Sequence, residues 1–550
     1  MLVIALVATG VITVGTAVSL SRSAPTSEPV AIDDEPSPTP TPRPTPTHAA
    51  PTPTPSPDVK GVSLLGAPWG SVPGLLQFRG NPTHTFYGLG PVPDTPEIAW
   101  RYPDAAMCSE EVVGTRTETI PPEEPDGGGS GGSDSGEAGS GDDSGTNSPK
   151  PGPTTREVPI IKKWCGTGWT GQPVVWERPD GVVEMIVGAF DGAIHFLDTA
   201  TGQRTRPPFQ TGQMIKGTVT LDPDGFPLLY SGSRDNYFRV IALDRDVPTE
   251  LWRLGPHPNG IWNNDWDGNA SIIDDVLYTG GEDSWFRAIR LNRSHRDDGL
   301  VTVDPEVLVE VPGFTNELIT AVGDRNVSIE SSVAIHQDRA YFVNSGGRVV
   351  GLDISRVDTG DAPVVFDYWV GDDADASVVI DGDGMLYVSV EYERKTDRAT
   401  EVGQLVKLDP SSGGNPRLWG VAIPPRPGPP DDGGSWSTPA LFGDLLYLTT
   451  HPGELLVVDR HTGEVVHREE IGYHEWSSPV VVEDPETGRA TLVVALCEAS
   501  GLRAYDLADP RSPTERWTLH VGGCVESTPA VWKGGIYVGS RDGYLYGIHD

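Results

Sequence analysis

One short run recurs eight times along this 550-residue chain, and it restricts the chain to a repeat architecture. Aligned on Pro173, Val219, Ala270, Val333, Val378, Pro439, Pro479 and Pro529, the copies lie 40 to 63 residues apart. Two places earlier the residue is always small: Gly171, Gly217, Gly268, Ser331, Ala376, Ser437, Ser477 and Ser527. One place earlier it is always polar and modest in size: Gln172, Thr218, Asn269, Ser332, Ser377, Thr438, Ser478 and Thr528. Strand-forming segments follow each copy. A Gly-x-x-Asp turn recurs at 188–191, 232–235, 280–283 and 539–542, and its Gly and Asp are hairpin chemistry. The next strand tends to end in Asp (Asp198, Asp244, Asp353, Asp409, Asp459, Asp506), and units usually close near a Trp (Trp252, Trp369, Trp419, Trp517). Roughly four short strands per unit make a propeller blade.

The eighth unit stops at Asp550 without its Trp-bearing strand, and a matching strand stands near the other end, Glu97 to Tyr102 around Trp100. The expected fold is therefore all-β, an eight-bladed propeller of four-stranded blades, closed by that N-terminal strand, which leaves no open sheet edge. The blades resemble the pyrroloquinoline-quinone (PQQ) repeat, Gly-x-x-Asp-Gly-x-x-Tyr-x-Leu-Asp-x-x-Thr-Gly-x-x-x-Trp, best at 537–549 and 187–202. The resemblance runs over about residues 78–550 apart from one insertion; Arg206 and His467 stand where it expects Trp.

The propeller is expected over 97–550, after a lead-in at 61–96. Residues 2–20 are uncharged and mainly apolar, so 1–23 is expected to be a membrane anchor or a cleaved signal segment. Residues 24–60 are Pro/Thr-rich and suit an extended linker. Residues 109–157 hold 11 acidic and 3 basic residues with a Gly/Ser run, and are expected to be a disordered insertion. The resulting picture is an extracytoplasmic propeller on a single N-terminal anchor, or a secreted one if the segment is cleaved. A net charge of −38 argues against nucleic acid as a partner. Of the three pairings open to four cysteines, Cys108–Cys165 across the neck of the insertion and Cys497–Cys524 between adjacent blades are favoured, with four buried thiols as the alternative.

Three places before the alignment point lies a column that is neither small nor uniform: Thr170, Lys216, Asp267, Glu330, Asp375, Trp436, Trp476 and Glu526. In a propeller these positions converge on the mouth of the central channel, and a polar site with aromatic walls there suits a ligand or a cation. Asp265, Asp267 and Asn269 are spaced like calcium ligands, but Gly268 is out of place for an EF-hand and Val276 stands where its Glu belongs. The resemblance implies PQQ and Ca²⁺ as cofactors only if the vicinal cysteine pair and Trp floor of quinoprotein dehydrogenases are present. The chain has no adjacent cysteines, no Gly-x-Ser-x-Gly and no His-Glu-x-x-His. The leading expectation is a non-catalytic propeller that binds a small ligand or an envelope protein, similar to the barrel-assembly scaffold of the outer membrane. A PQQ/Ca²⁺-dependent alcohol or sugar dehydrogenase is the alternative, and a glycan receptor stacking its ligand on Trp436 and Trp476 is a third reading.

Overall fold

The computed structural model describes residues 66–120, 154–168, 171–428 and 432–550. The anchor or signal segment and the Pro/Thr linker lie outside them. Among the described residues no helix is long and apolar enough to cross a membrane. Eight four-stranded antiparallel units form the propeller, one per copy of the repeat. The last is built from Ala530–Trp532, Gly535–Gly539 and Leu545–His549, with Glu97–Tyr102 paired antiparallel to Leu545–His549 as its fourth strand. Two units take an additional inner strand, Gly74–Leu75 in the first and Gly88–Leu89 in the eighth.

The two invariant columns have a single physical origin. The polar residue links neighbouring blades: the backbone N–H at Gln172, Asn269, Ser332, Ser377 and Thr438 donates to the side-chain oxygen of Thr218, Ser332, Ser377, Thr438 and Ser478 respectively, at 2.7–3.2 Å. These bonds run from blade to blade around the channel and satisfy backbone donors buried there. The small residue is small because the next blade's backbone lies against it. A Cβ on Gly217 would stand 1.9 Å from Asp267 O, and one on Gly268 would stand 2.6 Å from Ser331 O.

The turn Asp closes its own hairpin, while the Trp position joins blades. In the Gly-x-x-Asp turns, Asp191, Asp235, Asp283 and Asp542 each accept the N–H two residues on, at 3.1–3.4 Å. Trp100 lies over Gly202 and donates Nε1–H to Thr199 O at 2.7 Å; Trp419 does the same over Gly463, to Arg460 O at 3.1 Å. Arg206, where the repeat expects Trp, makes an equivalent reach, Nη1 to Leu243 O at 2.9 Å, while pairing with Glu184. The substitution therefore keeps the link between blades.

The lead-in is more than a connection. Residues 74–88 are all buried, and between them they meet every blade. Gly74–Leu75 pairs with Val175–Trp176, and Leu76 O accepts Leu221 N at 2.8 Å. Gln77 Nε2 reaches Ser271 Oγ at 3.4 Å, and the carbonyls of Pro82 and Thr83 accept Ile335 N and Ile380 N. Arg79 donates to Pro439 O at 2.8 Å and Pro479 O at 2.6 Å, and Gly88–Leu89 runs parallel to Val531–Trp532. This segment closes one end of the channel. Burial lowers the pKa of Arg79 to about 10 and of His84 to about 4, so His84, bonded through Nδ1 to Val378 O at 2.7 Å, sits there neutral.

The insertion departs from expectation. Its flanks are not a disordered loop but paired strands, Cys108–Ile120 with Thr154–Cys165, in register from Cys108↔Cys165. Alternating Thr, Val and Ile with opposite charges such as Glu110↔Lys163 and Glu111↔Lys162 favour this ladder. The acidic Gly/Ser centre lies outside the described residues. Both favoured disulfides are present, Cys108–Cys165 and Cys497–Cys524.

Candidate functional site

At the channel end away from the lead-in, the residues three places before the alignment point come together in two groups. Thr170 lies outside the described residues. The first group is electrostatic. Lys216 pairs with Asp267 and, at 3.0 Å, with Glu282. Asn263 Nδ2 donates to the other oxygen of Glu282 at 2.9 Å. Arg234 holds Asp265 at 2.6 Å and reaches Glu111 of the hairpin at 3.5 Å. The calcium-like run is thus dispersed: Asp265 goes to Arg234, Asp267 to Lys216, and Asn269 to Thr220 Oγ1 at 3.2 Å. Burial pulls the Lys216 ammonium down, but Asp267 and Glu282 outweigh it and hold its pKa well above the ordinary lysine value.

Around the ring, Ser328 Oγ donates to Glu330 at 2.9 Å and Ser345 Oγ to Asp375 at 2.8 Å. Asp373 stands beside Asp375 and meets Arg394 Nη2 at 3.2 Å. Glu391 completes a buried carboxylate triad with Asp373 and Asp375, one oxygen of each lying within 4.8 Å of the others. Burial, then the neighbouring carboxylates, pushes Glu330, Asp375 and Glu391 well above the ordinary range; burial outweighs Arg394 and takes Asp373 to about 8.

The second group is aromatic. Trp436 and Trp476 stack on each other, centroids 5.2 Å apart and 19° from parallel. His451 packs on Trp436 at 4.4 Å, and His474 on Trp476 at 4.0 Å. Trp476 Nε1–H donates to His451 Nδ1 at 2.7 Å, which leaves the His451 proton on Nε2, 2.9 Å from Tyr473 Oη. Burial, then the neighbouring His474, lowers the His451 pKa to about 4, so this tautomer is neutral. His474, at a left-handed φ of 67°, meets Glu526 at 3.2 Å, and Arg541 meets the other Glu526 oxygen at 3.6 Å.

The column named Lys216, Asp267, Glu330, Asp375, Trp436, Trp476 and Glu526. It missed Glu282, Asp373, Glu391, His451, Tyr473 and Arg394. Only Glu282, inside a Gly-x-x-Asp turn, and Asp373, two places before Asp375, sat near a recognisable signal.

The fit to PQQ is poor. PQQ is a tricarboxylate, and this mouth already holds an excess of carboxylates, while both Trp faces that meet each other are in use. Each disulfide joins cysteines far apart in sequence, by 57 and 27 residues.

The match to a family model agrees with the blade reading over part of the chain. Residues 320–469 match the PQQ_2 family model, described as outer membrane protein assembly factor BamB. That stretch is a PQQ-type repeat. No curated protein matches the chain. Among solved structures, the computationally designed Ika8 protein is similar at 12% identity and a TM-score of 0.46, over 67% of this chain and 93% of its own. Sqt1 of Saccharomyces cerevisiae is similar at 11% identity and a TM-score of 0.49, over 66% of this chain and 92% of its own. BamB from Moraxella catarrhalis is similar at 10% identity and a TM-score of 0.33, over 67% of this chain and 82% of its own.

Proposed function

We propose that the chain is a non-catalytic binding propeller of the cell envelope, held by its N-terminal segment, which presents the open end of its channel to a small ligand or to an envelope protein. The observation that carries this reading is the asymmetry of the channel. One end is filled by residues 74–88, and the other gathers carboxylates on one side and a Trp–Trp–His wall on the other. Walls of those two kinds favour a cationic or polyhydroxylated group, since carboxylates pair with cations and an indole face that is not turned on its neighbour stacks on sugar rings or cationic heads. The match at 320–469 to a family named for an assembly factor is consistent with this reading.

The test is a thermal-shift screen of the intact chain against polyamines and cell-wall oligosaccharides, repeated with Trp436→Ala/Trp476→Ala. Stabilisation by a member of either class, lost in the double variant, is expected. Equal stabilisation of both proteins, or dye-linked oxidation of an alcohol or aldose with added PQQ, would overturn the reading.

A further inference from the structure

Two acidic triads line the same channel, and the chain treats them differently. Asp267, Glu282 and Glu330 bring one oxygen each within 4.8 Å of one another, and Lys216 reaches in among them with two ion pairs. Asp373, Asp375 and Glu391 are equally close. Their basic neighbour, Arg394, meets Asp373 at 3.2 Å and spends its Nη1 on Ser345 O at 2.7 Å. Glu391 is 2% exposed, and its Oε1 has no hydrogen-bond partner among the described residues; nor does Oδ1 of Asp373, 5% exposed. The charges that act most strongly on Glu391 are like its own, Asp375, Asp373, Glu393 and Glu330, with Arg394 as the opposing neighbour. A buried carboxylate oxygen without a donor costs free energy unless a cation answers it.

We propose that Asp373, Asp375 and Glu391 form a binding site for a hard divalent cation of the calcium class, which does for this triad what Lys216 does for the other. The donor set is all oxygen, with no thiolate or imidazole, and that chemistry selects Ca²⁺, Mg²⁺ or Mn²⁺ over zinc or copper. One oxygen of each residue lies within 4.8 Å of the others, close enough for all three to reach one Ca²⁺ at about 2.4 Å. Backbone placement fixes the geometry. Asp373 and Asp375 sit on the approach to the inner strand of the fifth blade, and Glu391 leaves its second strand with its N–H on Asp373 O at 2.8 Å. Ser345 from the preceding blade orients Asp375 at 2.8 Å. The site therefore ties the fourth and fifth blades together at the channel wall. It stands independently of the binding function proposed above.

Calorimetric titration of the intact, chelator-treated protein with CaCl₂ tests it, beside Glu391→Gln, Asp373→Asn and Glu282→Gln. The expected result is one calcium per chain, an affinity at least tenfold weaker in Glu391→Gln and in Asp373→Asn, and an affinity within about twofold of the parent in Glu282→Gln. In chelator, Glu391→Gln should melt at or above the parent temperature, because it deletes a buried unanswered carboxylate; that also shows the variant to be folded. No heat and no thermal shift at roughly 1 mM calcium, magnesium or manganese, the weak end for extracellular modules, overturns the proposal. So does calcium binding abolished by Glu282→Gln and untouched by Glu391→Gln.

Discussion

Glu475 shows how a single side chain records its surroundings. It lies between Trp476 and His474 in sequence, is fully buried, accepts Cys497 N at 2.8 Å through Oε2, and has no hydrogen-bond partner for Oε1 among the described residues. Burial, with Glu498 adding, raises its pKa from 4.5 to about 8. Between those values the folded protein keeps a proton that the unfolded chain has released, so this group's contribution to stability is full below pH 4.5 and is lost as pH rises towards 8. Each pH unit in that window costs up to about 1.4 kcal/mol. Glu475→Gln removes the term. Urea unfolding in chelator should show the parent losing stability from pH 5 to 8 by a few kcal/mol more than the variant; parallel curves would contradict the assignment. Residue type alone did not mark Glu475 as buried, but its place in the repeat does: the same position holds Ile215, Trp266, Ile329, Ala374, Ser435 and Val525 in other blades, all buried.

At the scale of elements, the lead-in carries more than its sequence announced. The repeat resemblance reached back to about residue 78, yet nothing marked the segment as a plug, because its contacts are almost all to backbone carbonyls and amides of distant blades, which leave no pattern in side-chain type. Arg79 is its centre: fully buried, its two terminal nitrogens on Pro439 O and Pro479 O, its guanidinium 4.2 Å over the Tyr87 ring. Each charge-assisted bond is worth about 1.5–3 kcal/mol. Arg79→Ala should lower unfolding free energy by about 3–5 kcal/mol, measured by urea denaturation, and speed hydrogen exchange in residues 74–88 before that of the blades. A loss under about 1 kcal/mol would mean that the plug is not held as described. The insertion makes the opposite lesson. Composition flagged its acidic Gly/Ser centre, but the strand pairing of its flanks needed the Cys108–Cys165 register, which composition does not encode.

For the whole molecule, the repeat made the blade count readable because each column is a contact between blades: small where the neighbour's backbone presses, polar where the linking hydrogen bond passes. The site was half legible for the same reason. Positions in the column itself, such as Lys216, Glu330, Asp375 and Trp436, could be located, whereas Glu391 and His451, four residues past Tyr387 and Tyr447 as Glu282 is past Tyr278, occupy turns that lack the Gly-x-x-Asp residues and needed coordinates. The binding proposal rests on the assembled channel: residues 74–88 at one end, and carboxylates beside two indoles stacked on each other at the other. The most direct measurement is calorimetric titration of PQQ into the calcium-loaded, intact protein. The account predicts no PQQ heat and no PQQ-dependent thermal shift. Stoichiometric, calcium-dependent PQQ binding at micromolar affinity or better would contradict it and make the chain a quinoprotein.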